Sequence, residues 1–291
     1  MNKFIFAGLL LLICSYLPVK AQEDNSDPME SFEEPTTSYA TAGFKTTRVI
    51  NSHSFENLGA GVMDVKISHR FGYLNSGAYE LFGLDNASIR IGLDYGITKQ
   101  LMVGFGRSSF EKTYDGFVKY KFLRQSTGVH KMPIAAAFIS TIAVKTLKPS
   151  DPERTNYFSS NLYYSNQLII GRKFSEAFTM QVMPTMVHRN LVETTADPND
   201  IFAIGVAARQ KLTKRTAINA EYFYQLNQTD PDIHNSFSIG FDLETGGHVF
   251  QLHFTNSTSM IEKGFIPETT GDWLNGDIHF GFNVARVFTI V

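Results

Sequence analysis

Histidines and acids in ligand-like positions are the first residues in this sequence that could do chemistry. His253 and His279 fall at inward positions of the last two amphipathic segments, with Asp277 nearby. Two imidazoles and a carboxylate can bind Zn²⁺. No tight ligand spacing supports a metal, however, and no Cys-x-x-Cys-His motif is present for covalent haem. We therefore interpret these residues as polar lining and predict no metal and no cofactor.

A second candidate for chemistry is DPDIH at 230–234, where an acid and a histidine could activate water. Asp and Pro are also typical of turns, and the sequence has no Gly-x-Ser-x-Gly motif. GAGVMD at 59–64 lacks the Lys-Ser/Thr of a phosphate loop. The sequence therefore favours a protein that is not an enzyme, and a hydrolase remains a distant third hypothesis.

The single cysteine, Cys14, lies in the N-terminal stretch MNKFIFAGLLLLICSYLPVKAQ. Its short apolar region is followed by small residues at Val19 and Ala21, which predicts a signal peptide over 1–21. Cleavage would leave no cysteine and would change the formal net charge from −2 to −4, because two lysines and no acid are lost. This mildly acidic chain has no basic face for nucleic acid, so no nucleic-acid partner is expected.

The segment that follows the predicted signal is acidic. Residues 23–42 hold six acids and no base, which predicts a flexible tail. We take 22–60 as an N-terminal segment that lies at the periplasmic mouth of the domain or folds into it as a plug, and 61–291 as the main domain.

Period-two alternation dominates the rest of the chain. In NASIRIGLDYG, for example, Ile89, Ile91 and Leu93 alternate with polar or small residues, which is typical of a strand with two unlike faces. Most alternating segments have about nine to twelve residues, enough to cross a bilayer at a tilt. Twelve such segments are predicted at 61–71, 86–95, 100–108, 114–123, 132–145, 158–171, 177–188, 200–211, 216–226, 235–244, 248–256 and 276–289.

The connections between these segments are mostly short and long in turn, as in outer-membrane barrels with short periplasmic turns. If the tight turns are periplasmic, an even strand count places both termini on that side as well. The sequence thus predicts an all-β fold, a single closed antiparallel transmembrane β-barrel of about 12 strands. A secreted β-sandwich is the alternative, but twelve amphipathic strands with outward aromatics are hard to place in one.

The polar faces of these strands would then line a lumen. The predicted lumen-lining residues are Lys66, Arg70, Arg90, Asp94, Lys119, Lys121, Arg209, Glu221, Asp242, His253, Asp277 and His279. Two functions remain open: a narrow channel or transporter for small solutes, or a non-conducting barrel that docks another envelope protein. Lipid of the outer membrane is an expected partner in both cases.

Three stretches resemble a known family: SHRFG at 68–72, SGAYELFGLDNASIRIGLDYGIT at 76–98 and VGFGRSSFEKTYDGFVKYKFLRQ at 103–125. They are similar to the bacterial family described as a membrane-bound β-barrel domain of unknown function. The resemblance covers most of the mature chain and is strongest over 60–125. It implies an outer-membrane barrel of a Gram-negative bacterium, and it implies no reaction and no site residues.

Overall fold

The computed structural model describes residues 36–148, 153, 155, 157–192, 194 and 197–290. The predicted signal peptide at 1–21 and the acidic stretch 22–35 lie outside the described residues. Among the described residues, no helix has the length and apolar character needed to cross a bilayer.

Fourteen strands form in the described chain, two of them only three residues long. The short strands are β1 (Thr37–Tyr39) and β6 (Ser126–Gly128), which pair with each other. The long strands are β2 (Val62–Tyr73), β3 (Ala87–Gly96), β4 (Leu101–Ser108), β5 (Tyr114–Leu123), β7 (Ala135–Val144), β8 (Leu162–Lys173), β9 (Phe178–Arg189), β10 (Asp200–Lys211), β11 (Thr216–Gln225), β12 (Phe237–Thr245), β13 (His248–Thr255) and β14 (His279–Thr289).

The twelve long strands close into one antiparallel barrel, in which each strand pairs with its neighbours and β14 returns to β2. Closure gives every strand two partners and leaves no open edge. Unpaired backbone N–H and C=O groups at such an edge would be costly in hydrocarbon. The prediction of a closed twelve-strand antiparallel barrel is confirmed, and each of the twelve predicted segments corresponds to one long strand.

The barrel has two unlike ends. One end, here called the hairpin end, carries the connections 97–100, 124–134, 174–177, 212–215 and 246–247. The other, the loop end, carries 74–86, 109–113, 145–161, 190–199, 226–236 and 256–278. Because the strand count is even, β2 begins and β14 ends at the hairpin end.

Large apolar side chains cover the outside of the barrel. Ile91, Phe105, Val118, Leu252 and Tyr224 are each at least half exposed. They belong to a continuous alternation in which every second residue points outward. An exposed belt of this kind is stable only against lipid.

Two segments fold into the barrel from opposite ends. Residues 43–58 enter from the hairpin end, and part of the connection 256–278 enters from the loop end with a short helix, α1 (Glu262–Phe265). The sequence predicts that the N-terminal segment 22–60 lies at the mouth of the barrel or folds into it as a plug. The structure places residues 43–58 of this segment in the lumen. Residues 37–39 belong to the predicted flexible tail, but they form a strand that pairs with 126–128.

Candidate functional site

The segment inside the barrel, residues 43–58, is here called the luminal segment. Its centre is a tight turn in which Val49 N donates to Ser52 O at 2.8 Å and Ser54 N donates to Thr47 O at 3.0 Å. Ser52 is fully buried. The turn folds back on itself, so its outer backbone groups are left for the barrel wall to satisfy.

Glu221 of β11 binds the tip of the turn. Its carboxylate accepts hydrogen bonds from the backbone N–H groups of Ile50 (3.3 Å), Asn51 (2.8 Å) and Ser52 (3.1 Å). It also accepts one from the Ser52 hydroxyl at 2.7 Å. Bonds to an ionised acceptor are about twice as strong as neutral ones, so this carboxylate is a principal anchor of the luminal segment.

Lys119 of β5 binds the carbonyls on the opposite side of the same turn. Its ammonium donates to Ser54 O at 3.1 Å and Glu56 O at 2.6 Å. Gln181 of β9 donates to His53 O at 2.7 Å and accepts from Phe55 N at 3.1 Å. These side chains satisfy buried backbone groups that would otherwise cost about 1–3 kcal/mol each.

Half of the other predicted lumen residues also contact the luminal segment: Lys66, Arg70, Asp94, Lys121 and Arg209. Asp94 accepts from Thr47 Oγ1 at 2.9 Å and from Lys66 at 2.6 Å. The remaining contacts are Arg70 to Asn51 Oδ1 (2.8 Å), Lys121 to Glu56 (3.4 Å), Arg209 to Gly43 O (3.3 Å), Gln251 to Val49 O (2.7 Å) and Asn283 to Ile50 O (3.1 Å). The polar wall therefore acts as a cradle for this segment and does not face open water.

The luminal segment also carries apolar side chains. Phe44, Val49, Ile50 and Phe55 are nearly fully buried. They join one core cluster with inward side chains of β7 to β11, including Ala137, Ile139, Ile169, Met183, Val187, Ile201 and Phe223. Gly171 has no side chain where the Phe55 ring packs, and a Cβ there would clash with that ring. The lumen therefore offers this segment apolar contacts as well as polar ones.

The two inserted segments meet near the middle of the lumen. Arg48 of the luminal segment lies 3.3 Å from the Glu262 carboxylate of α1. His53 Nε2 lies 3.6 Å from the same carboxylate. All three side chains are at least nine-tenths buried. One charge pair therefore joins the segment that enters from the hairpin end to the one that enters from the loop end.

Burial shifts the protonation equilibria at this junction. Burial raises the pKa of Glu262, and the Arg48 guanidinium only partly offsets this. Burial lowers the pKa of His53 well below its usual value, and the nearby cations Arg48, Lys119 and Lys66 lower it further. The His53 ring is therefore neutral in this arrangement.

A second charged cluster lies above the junction at the loop end. The Lys263 ammonium contacts Glu111 of the connection 109–113 and lies 2.7 Å from Glu268. Lys145 binds the same Glu111 at 2.5 Å. Although burial lowers it, the pKa of Lys263 is raised overall by Glu268 and Glu111. This network fixes α1 to the neighbouring connection.

Arg90 and Asp242 contact the wall itself. The Arg90 guanidinium of β3 reaches across β4 and binds Asp115 of β5 through two hydrogen bonds. Asp242 accepts from Gln251 at 2.7 Å, and that same glutamine amide holds the luminal segment. Both residues face the interior, but they bind other residues of the wall and not the luminal segment itself.

The three residues considered as zinc ligands are not assembled into a site. His279 is hydrogen-bonded through both ring nitrogens, to Thr258 at 3.0 Å and to Phe71 O at 2.7 Å. Asp277 lies before β14 in the connection at the loop end, where it binds Asn75 at 2.6 Å. The prediction of Asp277 as a lumen residue is therefore corrected, because β14 begins three residues later than predicted.

His253 is fully buried, and neither ring nitrogen has a hydrogen-bond partner among the described residues. Within that same part of the chain, no group of three His, Cys, Asp or Glu side chains could hold a metal ion.

Sequence reasoning also missed Arg48, Asn51 and Glu262. The apolar residues Ile261, Phe265 and Ile266 in an otherwise polar connection were the signal that this loop is buried.

The family model described as membrane bound beta barrel domain (DUF5777) matches residues 44–288. The chain belongs to this family. The match begins inside the luminal segment, so the family's domain includes the lumen contents as well as the wall. Together with the exposed apolar belt, membership makes the protein an outer-membrane β-barrel, since closed barrels span that membrane.

Solved outer-membrane barrels are similar to this member of the family at low sequence identity. The NanC porin gives a TM-score of 0.48 at 6% identity, covering 79% of this chain and 100% of that chain. The KdgM porin gives 0.47 at 7% identity, with 78% and 99% covered. The COG4313 outer membrane channel from Pseudomonas putida F1 gives 0.47 at 13% identity, with 81% and 98% covered. No curated protein matches the sequence.

Proposed function

We propose that the protein is an outer-membrane channel for small polar solutes whose lumen is closed by the luminal segment. In this proposal the hairpin end is periplasmic and the loop end faces outward. Withdrawal of residues 43–58 toward the hairpin end opens the lower lumen. Withdrawal also removes Arg48, the partner of Glu262, so α1 is released and the upper lumen opens with the lower one.

The observation that carries the proposal is how the luminal segment is attached. Among the described residues, 43–58 make no backbone–backbone hydrogen bond to any barrel strand; the wall holds them through side chains. The barrel closes through strand pairs that do not include them. Removing the segment therefore breaks no strand pairing, and it exposes charged side chains that water can solvate.

Two cavities at opposite ends are consistent with a closed passage. A cavity of about 230 Å³ opens at the hairpin end beside Lys45, Thr47 and Glu244. Another of about 580 Å³ opens at the loop end beside Glu111, Tyr163 and Glu268. They share no lining residue, and the Arg48–Glu262 layer lies between them.

Conductance in a planar bilayer tests the proposal. The full mature chain should give little or no current, and a variant lacking residues 43–58 should give steady ion current. Heat-dependent migration on gels shows that each protein has folded. A folded deletion variant that stays silent would contradict the channel.

A reversible lock gives a sharper version of the same test. Asn51 Nδ2 lies 3.0 Å from Ser238 Oγ of β12, so a disulfide between cysteines at these positions would fix the luminal segment to the wall. The mature chain is predicted to have no other cysteine, so no other thiol competes for the disulfide between these two. Oxidation should abolish residual current and reductant should restore it, whereas each single-cysteine variant should respond to neither.

Dense packing of the lumen supports the second candidate, a non-conducting barrel that docks an envelope partner. His53 and Ser52 are fully buried, as in a protein core. If the deletion variant and the reduced cysteine pair are both folded and silent, this second function replaces the first.

A further inference from the structure

The hairpin end repeats one pairing of side chains around the barrel. A large apolar residue that is at least about a third exposed stands two positions from a lysine or arginine. The six pairs are Ile97 with Lys99, Phe122 with Arg124, Val129 with Lys131, Phe174 with Arg172, Leu212 with Lys214, and Phe288 with Arg286. These twelve side chains are here called the basic rim. The spacing of two puts both members of a pair on similar sides of the chain where it runs extended.

Three arginines of the rim lie over aromatic rings. The Arg124 guanidinium is 3.9 Å from the centre of the Tyr39 ring, Arg172 is 5.2 Å from Phe174, and Arg286 is 4.9 Å from Phe288. A ring beneath a guanidinium attracts its charge and limits its motion. The donors of each arginine are thus held at the level of the exposed aromatic residues.

Carboxylates do not neutralise these bases. Within the described chain, none of the six rim bases lies within salt-bridge distance of an Asp or Glu. The hairpin-end connections contain five Lys and Arg (Lys99, Arg124, Lys131, Lys214 and Arg215) against one acid, Glu176. The loop end is acidic instead, with Glu80, Asp85, Asp230, Asp232, Asp272 and Asp277 among its residues.

We propose that the basic rim binds the phosphate groups of anionic glycerophospholipids in the leaflet at the hairpin end. The apolar member of each pair enters the hydrocarbon, and the cation two positions away meets the phosphate. Such a cation is attracted to an anionic lipid surface, and guanidinium donors match phosphate oxygens in pairs.

One part of the rim has room for a headgroup. An open depression of about 540 Å³ lies beside Arg124, between Phe122, Lys131 and Tyr39. Two cations flank it, and the exposed rings of Tyr39 and Phe122 border it. A lipid phosphate seated there would contact Arg124 while its acyl chains run along the outward face of β5.

Spin-labelled lipids measure this binding directly. The full mature protein is reconstituted in phosphatidylcholine with spin-labelled phosphatidylglycerol or spin-labelled phosphatidylcholine, and the immobilised fraction of each is compared. Phosphatidylglycerol should be preferred by about two- to fivefold at low salt. High salt should reduce this preference, because the rim is exposed and its charges are screened.

Matched variants locate the binding at the rim. The triple change Arg124→Gln, Arg172→Gln and Arg286→Gln should bring the preference close to one. The control pair Lys112→Gln and Lys148→Gln removes two bases at the loop end and should leave it unchanged. The proposal is overturned if the first triple keeps the preference, if the control loses it equally, or if salt has no effect on the unsubstituted protein.

Discussion

At the scale of single residues, Glu221 should control how firmly the lumen is closed. It accepts four hydrogen bonds from three consecutive residues of the luminal segment. Glu221→Gln turns an amide N–H₂ toward those donors. The state with the luminal segment inside the lumen, here called the seated state, should therefore be destabilised by about 2 kcal/mol. The measurement is maleimide labelling of a cysteine at Val49, which is buried. Labelling should become about 30-fold faster.

The control for this change is Glu176→Gln, which removes an exposed carboxylate at the hairpin end. It should leave labelling at position 49 unchanged. If the two substitutions accelerate labelling equally, the effect is one of general charge and not of the Glu221 contacts.

His53 should make the closure sensitive to acid. A histidine whose pKa is lowered in the seated state favours seating fully above its ordinary pKa near 6.5 and loses that contribution as pH falls below it. One unit below that value the cost is about 1.4 kcal/mol, or about tenfold in labelling at position 49.

Glu262 opposes this trend, because its raised pKa favours the seated arrangement as pH falls. The variant His53→Gln keeps Glu262, so comparing it with the unsubstituted protein separates the pH dependence due to His53 from that due to Glu262. Between about pH 7.5 and about pH 5.5, the labelling ratio of the unsubstituted protein to the variant should rise about tenfold. A ratio independent of pH would show that His53 does not titrate with the closure.

At the scale of elements, the strands were predictable and the inserted segments only in part. Strand β10 is found at its predicted bounds of 200–211, because apolar and polar residues alternate without interruption. The alternation near Asp277 is interrupted by the turn at Gly276, which has a positive φ. No periodicity reports that Glu262 is buried, because its environment comes from Arg48, more than two hundred residues away in the sequence.

The outward face of β12 offers a direct test of the assigned faces. Phe241 points outward at 40% exposure, and its neighbour Gly240 faces Ile50 of the luminal segment. Phe241→Arg should destabilise the barrel in lipid by about 2–4 kcal/mol, the cost of a charge at the midplane. Phe241→Leu should be much milder in the same urea-unfolding measurement. Equal costs would contradict a lipid-facing position.

At the scale of the whole molecule, the even strand count fixes that both ends of the barrel chain lie together but not which side of the membrane they occupy. We expect the loop end outside. A cysteine at Asn199 should react with an impermeant reagent on intact cells, and one at Lys214 should react only after the outer membrane is opened. Both positions are exposed, so access alone decides the result. The reverse pattern would invert the proposed channel.

Charge in the opened lumen is also a property of the whole barrel. Lys66 and Arg90 keep their wall partners Asp94 and Asp115 when residues 43–58 are deleted. Lys119 and Lys121 do not, because their hydrogen bonds and ion pair go to the luminal segment. The deletion should therefore leave these two ammonium groups unpaired, and Arg70 and Arg209 also lose their contacts with the segment. The Glu221 and Glu262 carboxylates lose theirs too, so four cations stand against two anions in a confined space, where charges act more strongly than in bulk water.

We therefore expect the deletion variant to favour anions weakly in reversal-potential measurements across a salt gradient. Adding Lys119→Gln and Lys121→Gln to the deletion should shift the reversal potential toward cation preference. Lys99→Gln with Lys214→Gln removes the same charge from hairpin turns outside the lumen and should not shift it. An open deletion pore whose reversal potential ignores the first pair would mean that ions do not pass along β5, and that the cradle of the luminal segment is not the conducting path.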